Sequence, residues 1–167
     1  WERAAGAGHA IAYRIDAADI ASQRYANEDA LNHLERARRL VAEFTVGLPD
    51  AVWARCARIE ADACQELTRF AEADRHYRTL AALEGIPVPR TKTQRMLGIA
   101  AESVQQVLRR TGLVRSLSQG RERVRDSVAA HIHMRFAEYA YFTNDTLGLA
   151  HGTLASLNRA ERAAALP

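Results

Sequence analysis

The chain has 167 residues, 48% hydrophobic and 26% charged, which is too apolar for a disordered segment and enough for one domain or a short stack of repeats. Its formal charge is only +3, and no run of about 18 apolar residues occurs, so a membrane-spanning helix is excluded. Only four prolines and nine glycines interrupt a chain rich in alanine and leucine, a balance that favours helix.

Residues 3–24 carry a helical pattern with Ile11, Ile15, Ala18 and Ser22 on one stripe. Asn27 then offers an N-cap, with Glu28 and Asp29 in the first turn, where the helix dipole favours acids. The second helix runs to about Phe44 and stacks Ala30, Leu34, Ala37 and Val41. Gly47 and Pro49 stop it, and Asp50 is the expected cap of a third helix reaching Leu67, with Trp53, Ala57, Ile59, Ala61 and Cys64 inward. After a short turn, a fourth helix presents Ala73, Tyr77, Leu80 and Leu83. Gly85-Ile86-Pro87-Val88-Pro89 is the clearest break. A helix of about twenty residues follows, "TKTQRMLGIAAESVQQVLRR", then an arginine-rich joint between Gly112 and Gly120. The chain ends in a pair of helices parted by Thr143-Asn144-Asp145. No segment alternates for long enough to make a strand. The expectation is all-α, about seven helices in antiparallel hairpins. The domain is 1–167, with two hairpin units in 1–84, a break at 85–91, and an atypical helix plus a terminal hairpin in 92–167. Beginning at Trp1 and closing on Ala163-Ala164-Ala165-Leu166-Pro167, it reads as a segment of a longer protein.

A phrase recurs. Aligning Ala30, Ala73 and Leu147 brings Leu34, Tyr77 and His151 together at plus four, and Ala37, Leu80 and Leu154 at plus seven. His33, His76 and Ala150 share the plus-three offset, which gives His33 and His76 a common packing or hydrogen-bonding role. Twelve residues upstream, Ala18 and Ala61 are small, as a matching close contact on the first helix of each pair requires. This is the logic of a helical-hairpin repeat, in which the repeated residues serve packing.

"YANEDALNHLERARRL" and "FAEADRHYRTLAAL" resemble the second helices of tetratricopeptide-type repeats, whose usual period is about 34 residues. Here 43 residues separate Ala30 from Ala73 and 74 separate Ala73 from Leu147, and Thr68 stands where that family commonly has glycine. The order of "YANEDALNHLERARRL", "GIPVPRT" and "YAYFTNDTLGLAHGTLASLNRAER" resembles, over nearly the whole chain, the helical C-terminal region of bacterial multidomain signalling ATPases. These are class III adenylate or guanylate cyclases with a STAND-type ATPase region. The resemblance implies a right-handed, tetratricopeptide-like array that binds protein, either another domain of its parent or a separate partner. Any cyclase or phosphate loop would lie in the parent upstream of this segment, in the cytoplasm.

The residues themselves agree with a non-enzymatic role. No G-x-x-x-x-G-K-[ST] loop is present, and no cofactor, metal or catalytic residue is expected. Cys56 and Cys64, eight residues apart on one helix, lie about 12 Å apart along its axis, too far for a bridge, and read as small buried thiols. His131 and His133, two apart, diverge on a helix, and His151 completes no metal-ligand spacing with them. Glu60, Asp62 and Glu66 read as a solvated face. Residues 90–125 hold nine basic residues against two acidic, so Arg109, Arg110, Arg115, Arg121, Arg123 and Arg125 form a candidate basic interaction surface. Within residues 93–113, Leu97-Gly98-Ile99 followed by Val104, Val107-Leu108 and Arg109-Arg110 imitates a helix-turn-helix. Thr93 and Gln94 stand where that motif needs small or apolar packing residues, and Pro87 and Pro89 break its first helix, so the segment reads as a continuous repeat helix with Gly98 as a close-packing point, and nucleic acid is the lesser alternative.

Overall fold

The computed structural model describes residues 2–111 and 120–164. Among them all regular structure is helical, in seven helices: α1 Glu2–Gln23, α2 Asn27–Phe44, α3 Asp50–Glu66, α4 Phe70–Leu83, α5 Lys92–Arg110, α6 Gly120–Phe142 and α7 Thr146–Ala164. The expected all-α class and helix number are thus present. The caps are distributed differently. Asn27 and Asp50 are the first residues inside their helices, behind Ala26 and Pro49, which make no side-chain cap. The capping side chains stand later in the chain: Thr91 and Gln94 form a reciprocal capping box on α5. Asp145 Oδ1 accepts from the Gly148 amide at 3.0 Å at the start of α7.

The chain divides into two compact units, Trp1–Leu83 and Glu84–Pro167. The boundary falls at the edge of the Gly-Pro break. In the first unit α1 packs on α2 and α3, α2 on α3, and α3 on α4. Its core joins Ile11, Ile15 and Ala18 of α1 to Ala30, Leu34 and Ala37 of α2 and to Cys56 and Ile59 of α3. Ala61, Cys64, Ala73, Tyr77 and Leu80 are buried between α3 and α4, and the Tyr77 hydroxyl donates to Asp62 at 2.5 Å. In the second unit α7 packs on both α6 and α5.

One kind of turn joins three helix pairs, α1–α2, α3–α4 and α6–α7. In each, the second turn residue has a left-handed backbone: Tyr25 (φ 59°), Thr68 (φ 59°) and Asn144 (φ 54°). The next amide reaches back five residues, Ala26 to the Ala21 carbonyl at 2.9 Å, Arg69 to Cys64 at 2.8 Å and Asp145 to Ala140 at 2.8 Å. Tyr25, Thr68 and Asn144 each donate three residues back, to Ser22, Gln65 and Tyr141. This is the double hydrogen-bond pattern of a Schellman helix end, made here without glycine.

Aligned on that turn, Ala30 and Ala73 correspond to Leu149, two residues beyond the expected Leu147. The residue twelve upstream of Leu149 is Ala137, buried like Ala18 and Ala61. The buried residues of α7 are His151, Gly152, Ala155 and Asn158, while Leu147 and Leu154 are half-buried. The inward face of α7, which meets both α6 and α5, is thus turned relative to those of α2 and α4. Its close approach to α6 occurs at Gly152, where a Cβ would lie 3.0 Å from the Ala137 Cβ.

Candidate functional site

The two units each bury a carboxylate that composition alone would leave in water. In the first, Glu60 accepts both Nε and Nη2 of Arg38, at 2.9 and 2.7 Å, and its Oε2 lies 3.2 Å from His76 Nδ1. The Arg38 guanidinium also lies over the Trp53 ring, 5.1 Å from its centroid. Burial would raise the Glu60 pKa, but the hydrogen bonds from His76 and Arg38 outweigh it and hold it below the ordinary carboxylate value. This ties α2, α3 and α4 together. Glu60 and Asp62 therefore do not form the solvated face that their sequence suggests, whereas Glu66 is exposed. His33 and His76 both make polar contacts with the first helix of their own pair, His33 through Arg14 at 3.3 Å.

The second unit carries the richer arrangement. Asn158, fully buried, donates from Nδ2 to the Glu102 carbonyl at 2.8 Å and to Glu102 Oε2 at 2.7 Å. Arg159 Nη1 donates to Glu102 Oε1 at 2.8 Å and to the Ala155 carbonyl at 3.2 Å. Burial would raise the Glu102 pKa, and the hydrogen bonds from Arg159 and Asn158 reverse that. Beside this pair stand two imidazoles. His133, 1% exposed, meets His151 edge to face with ring centroids 5.7 Å apart, and its Nε2 has no hydrogen-bond partner. Burial above all, with Arg159 and His151 adding to it, pushes the His133 pKa down to about 3. Burial also lowers His151, against the opposing pull of Glu102. Both rings are therefore neutral at neutral pH.

Glycine makes room for the His151 ring and for the α6 backbone at His133. A Cβ on Gly98 would lie 2.5 Å from Cδ2 and 2.6 Å from Nε2 of His151, so α5 lacks a side chain where that ring rests. A Cβ on Gly152 would meet the His133 carbonyl at 2.9 Å. A cleft of about 310 Å³ opens onto this cluster, walled on one side by Pro87, Val88 and Pro89. Gln94, Glu102, His133, His151 and Arg159 line the rest. Another cleft, of about 400 Å³, lies at the α6–α7 turn between Tyr141, Phe142 and Asn144; its carboxylate, Asp145, is paired with Arg95.

Of the arginines expected to form a basic surface, two make contacts within the second unit. Arg109 is largely buried and spent internally, its Nη1 donating to the Asn158 carbonyl at 2.9 Å and to Glu161 at 3.1 Å. Arg125 is exposed but donates to the Gly85 carbonyl at 2.8 Å. Arg110 is exposed, and Arg123 is half-buried. Arg121 belongs to α6, and Arg115 lies outside the described residues. The helix-turn-helix alternative loses its turn, because α5 runs unbroken through Leu97-Gly98-Ile99 to Arg110, with Gly98 serving contact with His151. Among the described residues no three His, Cys, Asp or Glu side chains are grouped to hold a metal, and no helix is long and apolar enough to cross a membrane. Cys56 and Cys64 are free and buried, and burial pushes the Cys64 thiol up to about 11.

The Glu102 cluster is missing from the sequence expectations, yet two signals point to it. Glu102 is the sole acid in α5, and Asn158 stands mid-helix, where its competition for backbone hydrogen bonds makes it a poor choice unless it has a partner. The fold and these clusters define an all-α protein of helical hairpins with buried polar networks. No family model, curated protein or solved structure matches the chain.

Proposed function

We propose that the chain is a non-catalytic, tetratricopeptide-like interaction and regulatory segment of a larger cytoplasmic bacterial signalling protein of the ATPase or adenylate cyclase type. The observation that carries this reading is the recurrence of one turn, hydrogen bond for hydrogen bond, at Tyr25, Thr68 and Asn144. A unit repeated for packing supplies a surface made of successive first helices, and such surfaces commonly hold a protein partner. On α1, Tyr13 and Ile20 stand seven residues apart and exposed, an apolar stripe on one face of a first helix. The partner is another domain of the parent chain or a separate protein. Duplex DNA is disfavoured, since Arg109 and Arg125 are engaged within the second unit.

The test uses a photo-crosslinking amino acid placed at Tyr13 or Ile20, and at Glu35 on the second helix α2, in the bacterial protein that contains this chain. Crosslinks to another domain or protein from the α1 positions, and few from Glu35, are the expected result. Equal or absent crosslinking at all three would sink the reading. The purified chain should also turn over no ATP; turnover abolished by one substitution within it would make it an enzyme instead.

A further inference from the structure

We propose that the cleft beside Pro87–Pro89 binds a small organic carboxylate, held by the open edge of the Arg159 guanidinium, with the imidazoles of His133 and His151 beside it. The inference is independent of the interaction role above and rests on what the cleft's polar groups still lack.

Glu102 is already saturated as far as its neighbours allow, one oxygen taken by Asn158 at 2.7 Å and the other by Arg159 at 2.8 Å. Gln94 has its side-chain carbonyl engaged by the amides of Arg90 and Thr91, at 2.8 and 3.3 Å, which leaves its amide nitrogen to offer. Arg159 makes both of its hydrogen bonds through Nη1, so Nε and Nη2 remain uncommitted. His133 Nε2 is buried without a partner. Neutral His133 offers a donor or an acceptor at Nε2 according to its tautomer, and the Asn158 Oδ1 behind the cleft is a buried acceptor without a partner. The uncommitted donors of fixed sense are Arg159 Nε and Nη2 and the Gln94 amide, and a guanidinium cannot discharge itself. The ligand that meets these donors is an acceptor. A carboxylate suits the planar Nε–Nη2 edge, where two parallel N–H groups meet two oxygens.

Charge and shape narrow the class. Arg159 and Glu102 neutralise each other locally, while residues 84–167 carry twelve basic residues against seven acidic, so the field of this unit favours an arriving anion. A cationic ligand finds no free carboxylate oxygen among the lining residues. The wall of Pro87, Val88 and Pro89 offers apolar contact to a carbon body rather than water to an inorganic ion. At about 310 Å³ the cleft is at the small end of ligand pockets and takes a molecule of roughly aromatic-acid size. The gap left at Gly98 keeps the His151 ring against α5 and beside that space.

Sodium benzoate is the probe, titrated into the full chain with the histidine ring signals followed by nuclear magnetic resonance and the heat by calorimetry. Saturable one-to-one binding below about 5 mM, with shifts concentrated on His133 and His151, is expected. Arg159→Lys, which keeps a cation for Glu102 but loses the fork, should weaken binding by about tenfold or more. Val88→Asp, on the wall rather than in the buried network, should weaken it similarly while leaving the melting transition in place. Absence of saturation by about 10 mM, or undiminished binding in folded Val88→Asp and Arg159→Lys, overturns the proposal. Inorganic phosphate binding at the same histidines as tightly as benzoate would overturn the organic-carboxylate class.

Discussion

Changing Gly152 to alanine tests the close approach of α6 and α7 more directly than any truncation. In a helix interior alanine is better than glycine by about 1 kcal/mol, so propensity alone makes the substitution stabilising. The structure opposes it. The new Cβ would sit 2.9 Å from the His133 carbonyl oxygen and 3.0 Å from both N and Cβ of Ala137. Two of those three atoms are backbone, so no rotamer change relieves the contact, and α6 must withdraw by several tenths of an ångström. Overpacking of this kind costs roughly 1–3 kcal/mol, which leaves Gly152→Ala between neutral and about 2 kcal/mol destabilising. Gly8→Ala is the control, because a Cβ there meets nothing within 4 Å and only the gain of about 1 kcal/mol remains. Urea unfolding followed by far-ultraviolet circular dichroism reads both. The expected order is Gly8→Ala above the parent chain and Gly152→Ala at or below it. A Gly152→Ala variant stabilised as much as Gly8→Ala would refute the close approach.

Leucine at Ala30 or Ala73, both buried, should cost roughly 1–3 kcal/mol, while leucine at the exposed Ala71 should cost far less; equal melts at positions 71 and 73 would refute the stripe assignment. Thr68 holds φ 59° with a β-branched, exposed side chain, so Thr68→Gly should stabilise by about 0.5–1 kcal/mol, and Asn144→Gly by less, since asparagine tolerates that conformation. The pH dependence follows from His133, whose pKa falls to about 3 in the folded chain against about 6.5 unfolded. The unfolded chain takes up that proton first, so the stability present above about pH 6.5 is lost as the pH falls toward 3, by about 1.4 kcal/mol per unit. The lowered His151 adds to this loss, and the lowered Glu60 and Glu102 add theirs only below about pH 4.3. Denaturant unfolding of His133→Leu should therefore show a shallower decline between about pH 6 and 4.5; an unchanged slope would mean that His133 does not titrate as described.

Features that depend on neighbours a few residues away are legible in the amino-acid order. Ala18, Ala30, Leu34, Ala37, Ala61, Ala73, Tyr77 and Leu80 recur at helical spacing, and all are buried as that spacing requires. The seven helices and the Gly-Pro break are local signals of the same kind. Which polar residues go inside depends on packing between distant parts of the chain. Glu102 reads as one acid on a basic helix until Arg159, 57 residues later, arrives to pair with it. Glu60 reads as solvated until Arg38 and His76 close on it from two other helices. The register of the last hairpin was likewise hidden, because the α7 face that meets α6 and α5 is set by contacts such as Gly152 against Ala137, which the stripe of α2 and α4 does not carry. Gly98 reads as a close-packing point in a continuous helix, but only the fold shows that the group packed against it is the His151 ring. Backbone propensity acts within a turn of helix, whereas the cost of burying a charge is offset only by partners that the fold brings from far along the chain.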